Sequence, residues 1–113
     1  MIEYLAESNV VHLGGEFLFS NATECLKELE AIKDHLYEQI TLDCSQVKKA
    51  DSSFLAILIE VRRWAHQKRW PFAIKQLPSF LKSFLSVYGI EELLTTALID
   101  ASMSAAQFTV KGQ

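Results

Sequence analysis

Residues 39–74, QITLDCSQVKKADSSFLAILIEVRRWAHQKRWPFAI, carry the pattern that decides the fold of this chain. Gln39 to Cys44 alternates as a strand does, and Ser45 to Ala50 reads as a polar loop. Asp51 and the serines after it are cap-type residues. Phe54, Ile57, Leu58, Val61 and Ala65 then recur on one face of a helix running to Trp70, with Glu60, Arg63 and Gln67 on the opposite face. Pro71 stops that helix, and Phe72-Ala73-Ile74 is a short buried strand. A strand, a helix and a second strand in this order call for parallel strands joined by a right-handed crossover.

Working outward, Ile2 to Ala6 and Val10 to Leu13 are β-favouring segments parted by Glu7-Ser8-Asn9, which predicts a hairpin or two adjacent strands. Glu16 to Phe19 extends the second of these beyond a bulge at Gly14-Gly15. Asn21 with Glu24 three residues on resembles a capping box, and Ala22, Cys25, Leu26, Leu29, Ile32 and Leu36 follow at helical spacing. Downstream, Pro78 opens a helix through Leu81, Phe84, Leu85 and Tyr88, and Gly89 ends it. Ile90 to Ile99 reads as a further short helix, and Gln107 to Val110 as an edge strand. The order β-β-α-β-α-β-α defines an α/β fold with a mixed, largely parallel sheet and helices packed against it.

The chain has 113 residues, of which 50% are hydrophobic and 22% charged, as expected of one compact domain spanning residues 1–113. A chain of this size buries roughly two thirds of its unfolded surface, enough for a core without disulfide or metal staples. Eleven Lys and Arg against fourteen Asp and Glu leave a net charge of -3, the wrong sign for a general nucleic-acid binder. The longest stretch without a charged residue, Ala101 to Val110, is too short and polar for a bilayer span, and no direct membrane insertion is expected. The N-terminus carries Glu3 and Glu7 and lacks a secretory pattern, so a cytoplasmic location is expected. Cys25 and Cys44 belong to no CxxC or Cys/His cluster and read as reduced, buried apolar residues.

Catalysis needs a constellation, and none is legible. His12, His35 and His66 fall on separate elements without a ligand pattern, so no metal, cofactor or catalytic residue is expected. Gly14-Gly15 lacks the GK[ST] of a phosphate loop and the third glycine of a dinucleotide fingerprint, and reads as a turn or bulge. Ser52-Ser53 lacks a nucleophile elbow. The cluster Arg62, Arg63, Trp64, His66, Lys68, Arg69 and Trp70 ends a helix, where cations complement the macrodipole and the tryptophans can pack inward. A protein docking patch is the main alternative there, since Arg and Trp are good interface anchors, and a nucleic-acid patch, which the basic and aromatic mix resembles, is the lesser one.

Asp51-Ser52-Ser53 stands at a loop-to-helix junction. Asp and Ser there are ordinary helix caps. The same amides also favour an anion, and a phosphate on Ser52 would add about two negative charges beside Asp51.

The run from Leu42 to Leu94, with its strand, Asp-Ser-Ser, helix, strand and final helix, resembles the core of a STAS domain, the fold of anti-sigma factor antagonists. Upstream, VVHLGGEFLF followed by a helix is similar to the family's Gly-Glu-Leu strand end and first helix, so the likeness covers about residues 9–94 and leaves a tail from about 101 to 113. By position, the resemblance makes Ser52 the residue phosphorylated in anti-sigma factor antagonists and Asp51 the acid before it, with Ser53 following. Phe54 stands where the family usually has Gly, a bulky ring that would hinder a kinase or build a different docking surface.

Two roles follow from the resemblance, both binding functions without turnover. The first is that of an MlaB-like subunit, which docks on and supports the ATPase of the Mla phospholipid-transport ABC system and is held at the inner face of the membrane by that partner. SVYGIEELL, residues 86–94, is similar to the end of that subunit's last helix. The second is that of an anti-sigma factor antagonist that captures an anti-sigma factor kinase until Ser52 is phosphorylated. A small nucleotide-binding protein is the contrasting class, unsupported by any phosphate loop. The partner surface is expected at Asp51, Ser52, Ser53, Phe54, Leu55 and Arg62. Leu55, Ile59, Arg62 and His66 form one helical stripe that is either partly exposed or packed under the neighbouring helix.

Overall fold

The computed structural model describes residues 1–87 and 98–99. The elements are β1 (Ile2–Leu5), β2 (Val10–Phe17), α1 (Ala22–Lys33), β3 (Ile40–Ala50), α2 (Ser52–Lys68), β4 (Phe72–Lys75), α3 (Ser79–Val87) and β5 (Leu98–Ile99). The strands form one sheet in the order β1-β2-β3-β4-β5. The β1–β2 hairpin is antiparallel and the other three pairings are parallel, so this is the mixed, largely parallel α/β sheet expected.

Strand alternation sorts the side chains onto two faces. Val11 and Leu13 of β2, Ile40, Leu42 and Cys44 of β3, and Phe72 and Ile74 of β4 enter one core cluster with Cys25 and Leu29 of α1 and Leu81 of α3. The inward stripe of α2 contributes Phe54, Ile57, Leu58, Val61 and Ala65 to the same cluster. Each Val, Leu, Ile or Phe among them contributes about 1.5–3 kcal/mol by leaving water. On the other face the register sets Glu3, His12, Asp43 and Lys75 side by side across four strands. His12 Nδ1 lies 3.6 Å from an Asp43 carboxylate oxygen there.

Four expectations need correction. Ser45 to Ala50 is not a loop but the second half of β3, because Gln46, Val47, Lys49 and Ala50 pair with Gly14, Gly15, Glu16 and Phe17. The register shifts twice, between His12 and Gly14 and between Gly15 and Glu16, and each time the extra residue belongs to β3. A bulge therefore faces the glycines instead of sitting at them, and Gly15 takes φ of +85°, which side-chain-bearing residues rarely adopt. The capping box at Asn21 does not form. Its side chain instead accepts from the Leu18 N–H and donates to the Glu16 carbonyl, closing a 3-10 turn at Phe19–Asn21. Of the helix expected over Ile90 to Ile99, the last two residues are strand instead, since Leu98 and Ile99 pair with Ile74 and Lys75 as β5, and residues 90–97 lie outside the described residues. Tyr88 and the expected edge strand at Gln107 to Val110 lie outside the described residues.

Both cysteines are free and buried, as expected. Burial, with the neighbouring Asp43 charge adding to it, pushes the Cys44 thiol up to about 12.

Candidate functional site

The head of α2 is assembled by one carboxylate. Asp51 is the N-cap in extended conformation, and its side chain accepts the Ser53 N–H at 2.8 Å and the Phe19 N–H at 2.9 Å. Its own N–H donates to the Phe17 carbonyl at 3.2 Å. Asp51 thus ties the turn after β2 to the start of α2, two segments 32 residues apart in the chain. The bonds from Phe19 and then Ser53 hold its carboxyl below the ordinary range, because both stabilise the charged form.

Around this junction Ser52 is exposed and Ser53 half-buried. The first turn of α2 contains no acid, so at Ser52 the field of the helix amides is offset by the Asp51 cap alone. Phe19, bonded to Asp51 through its N–H, is 83% exposed, the most exposed large hydrophobic residue described.

The expected partner residues divide here. Asp51, Ser52 and Ser53 come together as one corner of the molecule. Phe54 and Leu55 do not join them: they are 0% and 3% exposed. The Phe54 ring packs on Phe17 with centroids 4.9 Å apart, so it turns into the core beneath the serines and presents no exposed docking ring. Leu55 is packed for the same reason, being on the edge of the inward stripe of α2. Arg62 is half-buried and stands ten residues along α2 from Ser52, about 15 Å at the helical rise. It belongs to the other end of the helix.

Sequence reading missed Phe19, which it placed in the continuation of β2. The only available signal was the break after Phe17, where an alternating strand would have pointed Phe19 inward beside it. The Asn21 turn reverses that direction. At the far end of α2, Trp64 is buried and donates its indole N–H to Glu60 at 3.1 Å, while Glu60 also pairs with Arg63. Lys33 sits 4.7 Å from the Trp64 ring centre, and Lys68 5.2 Å from that of Trp70. The tryptophans are therefore packed parts of the helix end.

Among the described residues no group of three His, Cys, Asp or Glu side chains is placed to hold a metal ion, and no helix is long and apolar enough to cross a membrane.

Residues 2–96 match the family model described as Mlab, STAS domain. A search of the curated proteins found no match. Among solved structures, a candidate anti-sigma factor antagonist from Thermotoga maritima superposes with a TM-score of 0.69 at 20% identity, covering 94% of this chain and 89% of that one. A sulfate transporter family protein from Wolinella succinogenes gives 0.66 at 15% identity, with 91% and 82% covered. The Bacillus cell-fate determinant SpoIIAA, in its phosphorylated form, gives 0.61 at 14% identity, with 90% and 89% covered. At these identities the structures share the fold alone.

Proposed function

The chain belongs to the STAS domain family, whose members are typically non-catalytic and act through protein partners, and from that premise we propose that it is an MlaB-like subunit. In this reading it docks on the ATPase of a phospholipid-transport ABC system and is held by that partner at the inner face of the membrane. The observation that carries the reading is the match to an Mlab-type model over residues 2–96. The docking corner is Asp51, Ser52 and Ser53 with Phe19 beside them. Phe19 supplies apolar area to bury, and the serine hydroxyls supply hydrogen bonds at its rim.

The burial of Phe54 bears on the competing role. With the ring under the helix, Ser52 is open to an enzyme despite the bulky neighbour, so an anti-sigma factor antagonist switched by phosphorylation at Ser52 remains the second reading. A phosphate there would gain from the helix amides and lose to Asp51, and would place new charge on the docking corner.

Affinity purification of the tagged full chain from its own cells in mild detergent, with and without Ser52→Asp, separates the two. Recovery of an ABC ATPase with its permease supports the transporter subunit. Recovery of an anti-sigma factor kinase that is lost in the Asp variant overturns it in favour of the switch. Phosphosite mapping of the same sample distinguishes Ser52 from Ser53.

A further inference from the structure

Charge is segregated along this chain. Residues 1–60 hold eleven Asp and Glu against four Lys, whereas residues 61–90 hold no Asp or Glu at all and six basic residues, Arg62, Arg63, Lys68, Arg69, Lys75 and Lys82. Four of the six fall in and just after the last third of α2. Arg62 and His66 stand four apart on that helix, and Arg69 follows as its C-cap in the left-handed conformation, with Arg62 half-buried and the other two exposed. Arg63 is engaged by Glu60, but among the described residues no carboxylate lies within 4 Å of Arg62, Lys68 or Arg69. These cations stand near the carbonyl end of α2, whose partial negative charge offsets only about half a unit of theirs.

We propose that this end of α2 is a second protein-docking surface, which takes an acidic segment, rich in Asp and Glu, of a partner. Charge complementarity selects the chemistry: two guanidinium groups without carboxylate partners at one helix end suit carboxylates, which they bind in bidentate pairs. A membrane surface fits less well. The tryptophans of this region are buried or half-buried, and the exposed large apolar residues among those described, Met1, Leu5, Phe19, Tyr37 and Phe80, belong to other elements, so among the described residues no large apolar side chain at this end of α2 is available to enter the lipid interface. A duplex would meet the fourteen acids of the rest of the chain at long range. The surface is separate from the serine corner, about 15 Å or more along the helix, and does not depend on which partner takes that corner.

The test uses the full chain and three probes: a fluorescent peptide of alternating Asp and Glu, vesicles of phosphatidylcholine and phosphatidylglycerol, and a short DNA duplex. Peptide binding at low salt, with amide shifts confined to residues near 62–70, is the expected result. The double variant Arg62→Glu, Arg69→Glu is expected to weaken it by about tenfold or more. The double Arg→Gln variant, which creates no acidic patch, is expected to lie between the two, with unchanged circular dichroism confirming the fold of each. No peptide binding at low salt overturns the proposal, as does binding indifferent to both variants. Tighter binding of the vesicles or the duplex than of the peptide also overturns it and assigns this end of α2 to that probe's class.

Discussion

At the scale of single residues, Asp51 and the two phenylalanines beside it show how far one position constrains its neighbours. Both Asp51 oxygens are used, one by Ser53 and one by Phe19, and an amide has only one acceptor oxygen, so Asp51→Asn releases one of the two N–H groups. The folded carboxyl is held below its ordinary range, so its contribution to stability is fully present above the unfolded value of about 4 and is lost as pH falls through the folded value. Denaturant titrations from neutral to acid pH are therefore expected to show a gap between the wild type and Asp51→Asn that is constant above that range and closes below it. A gap that is constant throughout, or that widens in acid, removes the carboxylate from the junction. Phe54→Gly, which puts in the small residue usual in the family, empties a fully buried site and is expected to cost about 3–5 kcal/mol of stability. Phe19→Ala, at 83% exposure, is expected to change stability by no more than about 0.5 kcal/mol. If Phe19 anchors the partner, the same variant costs about 2 kcal/mol or more of affinity, measured by calorimetry with the purified partner. Equal binding by Phe19→Ala and wild type places the anchor elsewhere.

At the scale of elements, what could be read from the sequence followed from how local each element's cause is. The inward stripe of α2 rests on spacing and was legible, whereas its stop was placed too late: the helix ends at Lys68, where Arg69 turns left-handed, and not at Pro71. The second half of β3 was not. Lys48, Lys49 and Gln46 look like a polar loop, and they become strand only because Gly14 to Phe17, about 30 residues upstream, offer a ladder. The two extra residues in β3 also break its alternation, leaving Cys44 and Val47 buried three apart instead of two, so no period-2 signal survives. The candidate site follows the same rule. Asp51 and Ser52 were legible as a cap motif, whereas Phe19 joins them only through a hydrogen bond across 32 positions. Gly15 is the hinge of this paired region, at φ of +85°. Gly15→Ala is expected to cost about 1–2 kcal/mol, the penalty of a left-handed conformation for a residue with a Cβ. A shift of the urea midpoint with unchanged slope would show it, and a midpoint equal to that of the wild type would mean that the bulged strands relax around the substitution.

At the scale of the whole molecule, Cys44 reports on cooperativity. It lies on the central strand, 0% exposed, in the cluster that joins the sheet to the three helices, and its thiol is pushed up to about 12. At pH 8 only about one part in ten thousand of such a thiol is ionised, and the thiolate is the reactive form. Cys25 is also buried and raised by desolvation, but it belongs to α1, which meets solvent along its other face, and it retains 8% exposure. A thiol reagent is therefore expected to modify Cys25 first, through local opening of α1, and Cys44 only through the opening of the sheet and helices together. The variants Cys25→Ala and Cys44→Ala isolate the two signals. The Cys44 rate is expected to rise with urea along the same slope as global unfolding, and to fall when a partner occupying the serine corner stabilises the native state by mass action. A Cys44 rate as fast as that of Cys25 and flat in urea would mean that β3 opens by itself. The docking corner at its end would then be uncoupled from the core on which Asp51 and Phe54 are built.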